Sequence, residues 1–120
     1  MATFTTRAER HIGIIEVEGS LDDASVVRLK DAFAEATVKA ESRHVLIVAD
    51  KITSMEEKVA LVMVIECGRL RAEGGNAAWV SRSGWLPTRG SHASTKLFMD
   101  VYQTVEQALD LFHIHTEGKP

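Results

Sequence analysis

The sequence is poor in cysteine, and its single thiol, Cys67, excludes an internal disulfide and a metal site built from several thiolates. The longest apolar run, residues 59–65, has seven members, far short of the roughly 20 that cross a membrane. The first ten residues lack the apolar core of a signal peptide. These absences together predict a soluble, cytoplasmic protein without direct membrane insertion.

Clustered positive charge and catalytic motifs are also absent. The formal net charge is −3, and no Lys/Arg cluster is dense enough to favour nucleic acid. No nucleophile elbow, phosphate-binding loop or dinucleotide fingerprint occurs, so we expect neither an enzyme nor a cofactor. His113 and His115 stand at alternate positions, but two imidazoles without a third ligand do not predict a metal site.

The composition is that of an ordinary globular domain. The chain has 120 residues, of which 45% are hydrophobic and 26% charged, a balance that predicts one domain with its own core. We assign this domain to residues 1–112 and a C-terminal tail to residues 113–120.

The N-terminal half alternates between strand and helix patterns. Residues 3–7 and 11–19 predict a hairpin of two strands, the second of them rich in β-branched residues. Asp22 or Asp23 is a suitable cap for the helix that follows. The apolar stripe of that helix consists of Val26, Leu29, Phe33, Ala36 and Ala40. Residues 45–49 are continuously apolar, which is typical of a parallel strand covered on both faces.

The segment after this strand predicts a loop over residues 50–54 and a helix over residues 56–73. The helix is favoured because acidic residues stand in its first turn, arginines stand in its last turn, and the glycines at 74–75 follow it. Gly68 inside this helix costs about 1 kcal/mol, which predicts close packing at that turn. Cys67 is predicted to be a small core residue.

Four shorter elements complete the chain. They are a strand at 77–82, a short helix at 92–99, a short strand at 101–102 and a final helix capped by Thr104. The element order predicts an α/β fold, with a mixed and mostly parallel sheet of four or five strands, right-handed crossovers and about four helices.

Local sequences at the turns narrow the fold further. Gly19, Leu21 and Asp22 form a G-x-L-D sequence between the second strand and the first helix. An apolar strand, a helix and a glycine pair follow, and the closing VYQTVEQAL adds a short strand and a helix. In this order and spacing, over residues 4–112, the chain resembles the STAS family of sulphate transporter domains and bacterial anti-sigma factor antagonists.

The resemblance implies a non-enzymatic regulatory module that binds a protein partner. That partner is often an anti-sigma factor with an ATP-using, serine kinase-like fold. The resemblance also implies a switch, in which phosphorylation of a Ser or Thr opening the second helix releases the partner. A phosphate adds nearly two negative charges, enough to disrupt a charge-matched interface.

This chain lacks a hydroxyl at the usual switch position. Counting back from the glycines at 74–75, the D-S-x-G sequence of the family falls on residues 56–59. Counting forward from Asp50, it falls on residues 58–61. Neither stretch contains Ser or Thr, and none follows Ser54 until after the glycine pair. We therefore predict that the module is not switched by serine phosphorylation at the usual position.

Three hypotheses remain open for the switch. Glu56 or Glu57 supplies a permanent negative charge, Ser54 or Thr53 has become the phosphoacceptor, or the domain is an adaptor without a covalent switch. Two simpler interpretations stand beside them. The glutamates stabilise the helix N-terminus, which is worth about 0.3–1 kcal/mol, and Ser54 is the N-cap. Lys58 is otherwise an ordinary surface lysine.

The predicted partner-binding surface combines this switch region with the helix after it. Seven consecutive apolar residues cover every face of nearly two turns, so neighbouring helices or a partner must cover what the sheet does not. Asp22 either contacts the partner or only caps its helix. The residues assigned to the surface are Asp22, Thr53, Ser54, Glu56, Glu57, Lys58, Val59, Val62 and Met63.

Several partners are compatible with such a surface. The first is a kinase-like anti-sigma factor or a related ATPase. An accessory STAS subunit of a lipid-handling ABC transporter would instead dock on the ATPase subunit. A carrier of a small apolar ligand or lipid would use the apolar helix as a pocket wall. A second copy of the chain is a further predicted partner.

Overall fold

The computed structural model describes residues 2–82 and 100–110, which form a single five-stranded sheet. The strands are β1 (Thr3–Glu9), β2 (Ile12–Leu21), β3 (His44–Met55), β4 (Asn76–Val80) and β5 (Asp100–Tyr102). They lie side by side in chain order, with β1 antiparallel to β2 and all other neighbours parallel. The predicted mixed, mostly parallel sheet with an N-terminal hairpin is confirmed.

The helices cover both faces of this sheet. A short 3-10 helix (Asp23–Ser25) leads into α1 (Val26–Ala40), and α2 (Glu57–Ala72) connects β3 to β4. A further helix, α3, begins at Val105 and is described to residue 110. The predicted helix at 92–99, the boundary at 112–113 and the two C-terminal histidines lie outside the described residues.

The hydrophobic core has one part on each face of the sheet. On one face, α1 and α2 pack Phe33 and Met63 against a large cluster that includes Ile47. On the other face, α3 packs Leu109 against a smaller cluster that includes Leu46. Because neighbouring residues of β3 point into different clusters, its first half is continuously apolar, as predicted.

α1 lies directly against β2. A Cβ atom added to Gly13 would lie 2.7 Å from the carbonyl oxygen of Ala36, so a larger residue there would push the helix away. The side of α1 that faces the sheet buries the residues of the predicted stripe from Leu29 onward, while Val26 at its start is half-buried.

Residues 50–54 are not the predicted loop but the second half of β3. The register with β2 shifts twice, between the pairs Glu16–Val48 and Glu18–Lys51 and between the pairs Gly19–Ile52 and Ser20–Ser54. Each shift is a bulge that adds one residue to β3. The buried positions Ala49, Ile52 and Met55 are therefore three residues apart. The period of two that identifies a strand is lost, and the sequence pattern suggested a loop.

The predicted C-terminal end of α2 and the predicted start of α3 are both confirmed. At the end of α2, Gly74 has a φ of 91° and the N–H of Gly75 donates to the carbonyl of Leu70 at 2.8 Å, a glycine-terminated helix end. At the start of α3, Thr104 Oγ1 accepts a hydrogen bond of 3.0 Å from the N–H of Gln107. Thr104 is therefore the predicted cap.

Candidate partner-binding site

The predicted switch residues meet where β2 and β3 end. Ser20 pairs with Ser54 and Leu21 with Met55 in the parallel ladder. The N–H of Glu56 then donates to the carbonyl of Leu21 at 2.9 Å. Because both strands end at this level, the 3-10 helix after β2 and α2 after β3 begin side by side.

Glu56 is the N-cap residue of α2, so the prediction that Ser54 is the cap is wrong. The carbonyl of Glu56 accepts hydrogen bonds from the N–H groups of Val59 and Ala60 at 3.0 and 3.1 Å. Its carboxylate oxygen Oε1 accepts a hydrogen bond of 2.9 Å from the N–H of Asp23. This carboxylate therefore joins α2 to the start of the neighbouring 3-10 helix, where backbone N–H groups attract negative charge.

Asp22 has the capping role that the sequence allowed. Its Oδ1 accepts a hydrogen bond of 3.1 Å from the hydroxyl of Ser25, and its N–H donates to the same hydroxyl at 3.3 Å. Asp22 is half-buried and Ser25 is buried. The pair fixes the turn that carries the chain from β2 into α1.

The exposed charged side chains beside this turn make only weak interactions with the rest of the domain. Lys58 Nζ lies 3.3 Å from Asp23 Oδ1, and both side chains are well exposed. An exposed pair of this kind contributes about 0–1 kcal/mol. Glu57, also exposed, makes no ion pair with any described residue. These three side chains are therefore available to a partner at little cost to stability.

Three residues with hydroxyl side chains lie where β2 and β3 end. Thr53 and Ser54 are exposed, while Ser20 is half-buried with its Oγ 3.2 Å from Thr53 Oγ1. Ser54 is accessible to a modifying enzyme, although its backbone is held in the paired strand.

The apolar run on α2 divides between the core and the surface. Val59 and Met63 are fully buried, so they present no surface to a partner, and Val62 is half-buried. The outward apolar residues are instead Leu61 and Ile65, which are 56% and 66% exposed. They share a helix face with Glu57 and Lys58, and this helical phase is the signal by which the sequence could have identified them.

Cys67 and Gly68 are neighbours on α2, but the first is buried and the second is exposed. Cys67 is buried, as predicted, and burial raises the pKa of its thiol to about 12, which makes it a poor nucleophile. The prediction of close packing at Gly68 is wrong, because a Cβ atom added there would have no atom of any other described element within 4 Å.

A polar cleft of about 480 Å³ opens on the sheet face opposite α1 and α2. Its polar lining includes Thr5, Glu16, Glu18, Asp50, Lys51 and Arg82. The N–H of Arg82 donates to Asp50 Oδ1 at 2.7 Å, which fixes one wall. Charged walls of both signs do not suit an apolar ligand.

Two further properties can be stated for residues 2–82 and 100–110. No helix in these ranges has the length and apolar character needed to cross a membrane. No three His, Cys, Asp or Glu side chains of the same ranges are grouped closely enough to hold a metal ion.

Comparisons with known proteins identify the fold. No protein-family model matches the sequence, and no curated protein matches it. An anti-sigma factor antagonist from Mycobacterium paratuberculosis matches with a TM-score of 0.70 and 16% identity, over 94% of this chain and 95% of that one. The anti-sigma factor antagonist SpoIIAA, in its unphosphorylated form, matches with a TM-score of 0.67 and 16% identity, over 92% and 98%. An NMR structure of TM1081 from Thermotoga maritima matches with a TM-score of 0.72 and 14% identity, over 98% and 90%.

These matches extend over nearly the whole of each chain, at low sequence identity. They show that the chain has the fold of the anti-sigma factor antagonists, and the resemblance to the STAS family is confirmed at the level of the fold.

Proposed function

We propose that this chain is a non-enzymatic regulatory module of the anti-sigma factor antagonist type, which acts by binding a protein partner. The observation that carries the proposal is the fold, shared over nearly the whole chain with proteins of that description. A fold alone does not fix a function. The proposal therefore also rests on the exposed residues at the start of α2.

The proposed docking surface, here named the α2 N-terminal surface, consists of Asp23, Thr53, Ser54, Glu57 and Lys58. All five are exposed, and they come from three different segments that the ends of β2 and β3 bring together. The surface carries charges of both signs and hydroxyl groups, as the polar rim of a protein interface does. Leu61, one turn further along α2, adds an apolar contact.

The proposed module is not switched at the usual position. The N-cap and first turn of α2 carry Glu56, Glu57 and Lys58, none of which is a hydroxyl residue. The Glu56 carboxylate is already bound to the N–H of Asp23, which favours a structural role for it. Glu57 is therefore the better candidate for a permanent charge that a partner meets.

Ser54 is the candidate for a replacement phosphoacceptor. Its exposure supports this role, and a phosphate there would add negative charge beside Glu57. The expected partner is a kinase-like anti-sigma factor or related ATPase in the cytoplasm. An ATPase subunit of a lipid transporter would meet the same surface, so only the identity of the partner separates these two functions.

The test is calorimetric titration of the purified chain with each anti-sigma factor encoded by its source organism. We expect one of them to bind, and Glu57→Arg to weaken that binding about tenfold or more. The matched control is Asp31→Arg, which makes the same charge change at an exposed position on α1 and should bind as the wild type does.

Other outcomes identify the alternatives. Binding to a transporter ATPase, with no binding to any anti-sigma factor, would support the accessory subunit. A lipid retained in native mass spectrometry, with no binding to either protein, would support the carrier and contradict the proposal.

A further inference from the structure

Among the described residues, the large exposed apolar side chains all lie on α1 and α2, the two helices that cover the same face of the sheet. They are Val27 and Val38 on α1, and Leu61 and Ile65 on α2. Isolated apolar residues on a surface are normal. On α1 the two valines are separated by exposed charged residues, whereas on α2 the leucine and isoleucine are neighbours one turn apart.

The outer face of α2 carries no charge along its middle. Between Lys58 and Arg69 the only charged residue is Glu66, which is buried. At 1.5 Å per residue, residues 59–68, whose exposed side chains carry no charge, span about 15 Å. An apolar strip with polar ends is the pattern expected of a helix that meets another protein surface.

Gly68 lies on this same face, seven residues after Leu61. Glycine inside a helix is less favourable than alanine, and a Cβ atom added here would meet no atom of another described segment within 4 Å. Packing within residues 2–82 and 100–110 of a single chain therefore gives no reason for the glycine. A second helix crossing at this point would give one, because a missing Cβ atom allows two backbones to approach closely.

The ends of α2 determine which second helix fits. The first turn is acidic at Glu57, and the last turn is basic at Arg69 and Arg71. A parallel copy would place like charges together. An antiparallel copy places the acidic turn of each helix beside the basic turn of the other, and a two-fold axis makes every such contact twice.

We propose that a second copy of this chain docks on the outer face of α2, antiparallel to the first, with Leu61 of each copy against Gly68 of the other. One helix from each chain makes a small interface, so the dimer is weak and depends on concentration. Glu57 belongs both to this interface and to the α2 N-terminal surface. The dimer and the complex with a partner therefore exclude each other.

The test is sedimentation velocity of the full chain from about 1 μM to about 1 mM, the range that a weak dimer requires. The wild type should show a dimer that dissociates on dilution. Ile65→Glu should abolish it, because it places a charge in the apolar strip. The matched control Val38→Glu, at a 75% exposed position on α1, should dimerise as the wild type does.

A second variant separates self-association from folding. Gly68→Gln has room in the single chain and should melt at the wild-type temperature or above. Its added side chain blocks the close approach, so the dissociation constant should rise about tenfold or more. The anti-sigma factor titration can be repeated with this weakly dimerising variant, so that loss of the dimer and loss of partner binding are measured separately.

Three results would overturn the proposal. One is a wild type that stays monomeric throughout the range, and another is a Gly68→Gln variant that dimerises as tightly as the wild type. The third is a monomeric wild type that binds a different protein through Ile65, since the strip would then belong to that protein.

Discussion

α1 and α2 cover the same face of the sheet and have nearly equal lengths, yet they present different surfaces to solvent. α1 has one apolar stripe, and it approaches β2 so closely that only glycine fits at Gly13. α2 is apolar on its inner side at Met63 and also on its outer side at Leu61 and Ile65.

The difference indicates that the two helices have different roles. Packing on a sheet requires one stripe, and beyond its stripe α1 exposes only Val27, Ala34 and Val38 as apolar residues, with charged residues among them. α2 has apolar surface left over once its stripe is buried, and its first turn adjoins the ends of β2 and β3. The helix with two apolar sides is therefore the one to which we assign docking.

The largest expected effect distinguishes the two sides of α2. Met63→Ala should lower the free energy of unfolding by about 2–5 kcal/mol, because it leaves a cavity in the core. Leu61→Ala, two residues away and exposed, should change it by less than about 0.5 kcal/mol. Urea unfolding measures both. Equal losses would mean that Leu61 also belongs to the core.

The buried thiol gives the inner side of α2 a pH dependence. Burial raises the pKa of Cys67 from 9.0 to about 12. A raised pKa in the folded state favours the neutral thiol, so its stabilisation is complete below pH 9 and is lost as the pH rises towards 12. Between these values the free energy of unfolding should fall by up to about 1.4 kcal/mol per pH unit.

Cys67→Ala isolates this effect from other alkaline titrations. Unfolding in urea would be followed for both proteins over the same pH series. A steeper decline in the wild type than in Cys67→Ala is expected, and identical slopes would mean that the thiol titrates as it does in water.

The buried carboxylate of Glu66 on α2 needs a hydrogen-bond donor. The side chain of Glu66 is only 5% exposed and binds Arg69, which is 58% exposed. Arg69→Met should cost about 1–3 kcal/mol, because the buried carboxylate loses its donor. Adding Glu66→Gln should recover much of that loss, whereas Arg28→Met on α1 should have little effect. Urea unfolding of the three variants tests this coupling.

The smallest expected effect is the change in stability when Gly68 or Gly13 is replaced by alanine. Gly68→Ala should raise the free energy of unfolding by up to about 1 kcal/mol, since the Cβ atom has open space and alanine favours the helix. Gly13→Ala should lower it, because the Cβ atom meets the backbone of α1. Thermal melts read both signs directly, and a destabilised Gly68→Ala would contradict the exposed placement of this residue.

Much of the fold was predictable because its signals are local. The hairpin, the stripe of α1, the Thr104 cap and the glycines after α2 each depend on a few neighbouring residues. The second half of β3 was missed because its two bulges arise from pairing with β2, which lies outside the segment itself.

The candidate site was predictable in position but not in detail. The sequence placed Glu56 and Glu57 at the start of a helix and Asp22 at a cap, and the structure agrees. It assigned Val59 and Met63 to the surface because a helix that is apolar all round carries no indication of its inner side. The contact between the Glu56 carboxylate and the N–H of Asp23 joins segments 33 residues apart, and no local pattern predicts it.

The sequence by itself determined the order of elements, the class of fold and the position of the candidate site at the start of a helix, because periodicity, capping and charge act over a few residues. The tertiary structure decided the side of α2 that is buried, the bulges of β3 and the exposure of Gly68. Each of these depends on which surface lies opposite, and only the folded chain brings those surfaces together.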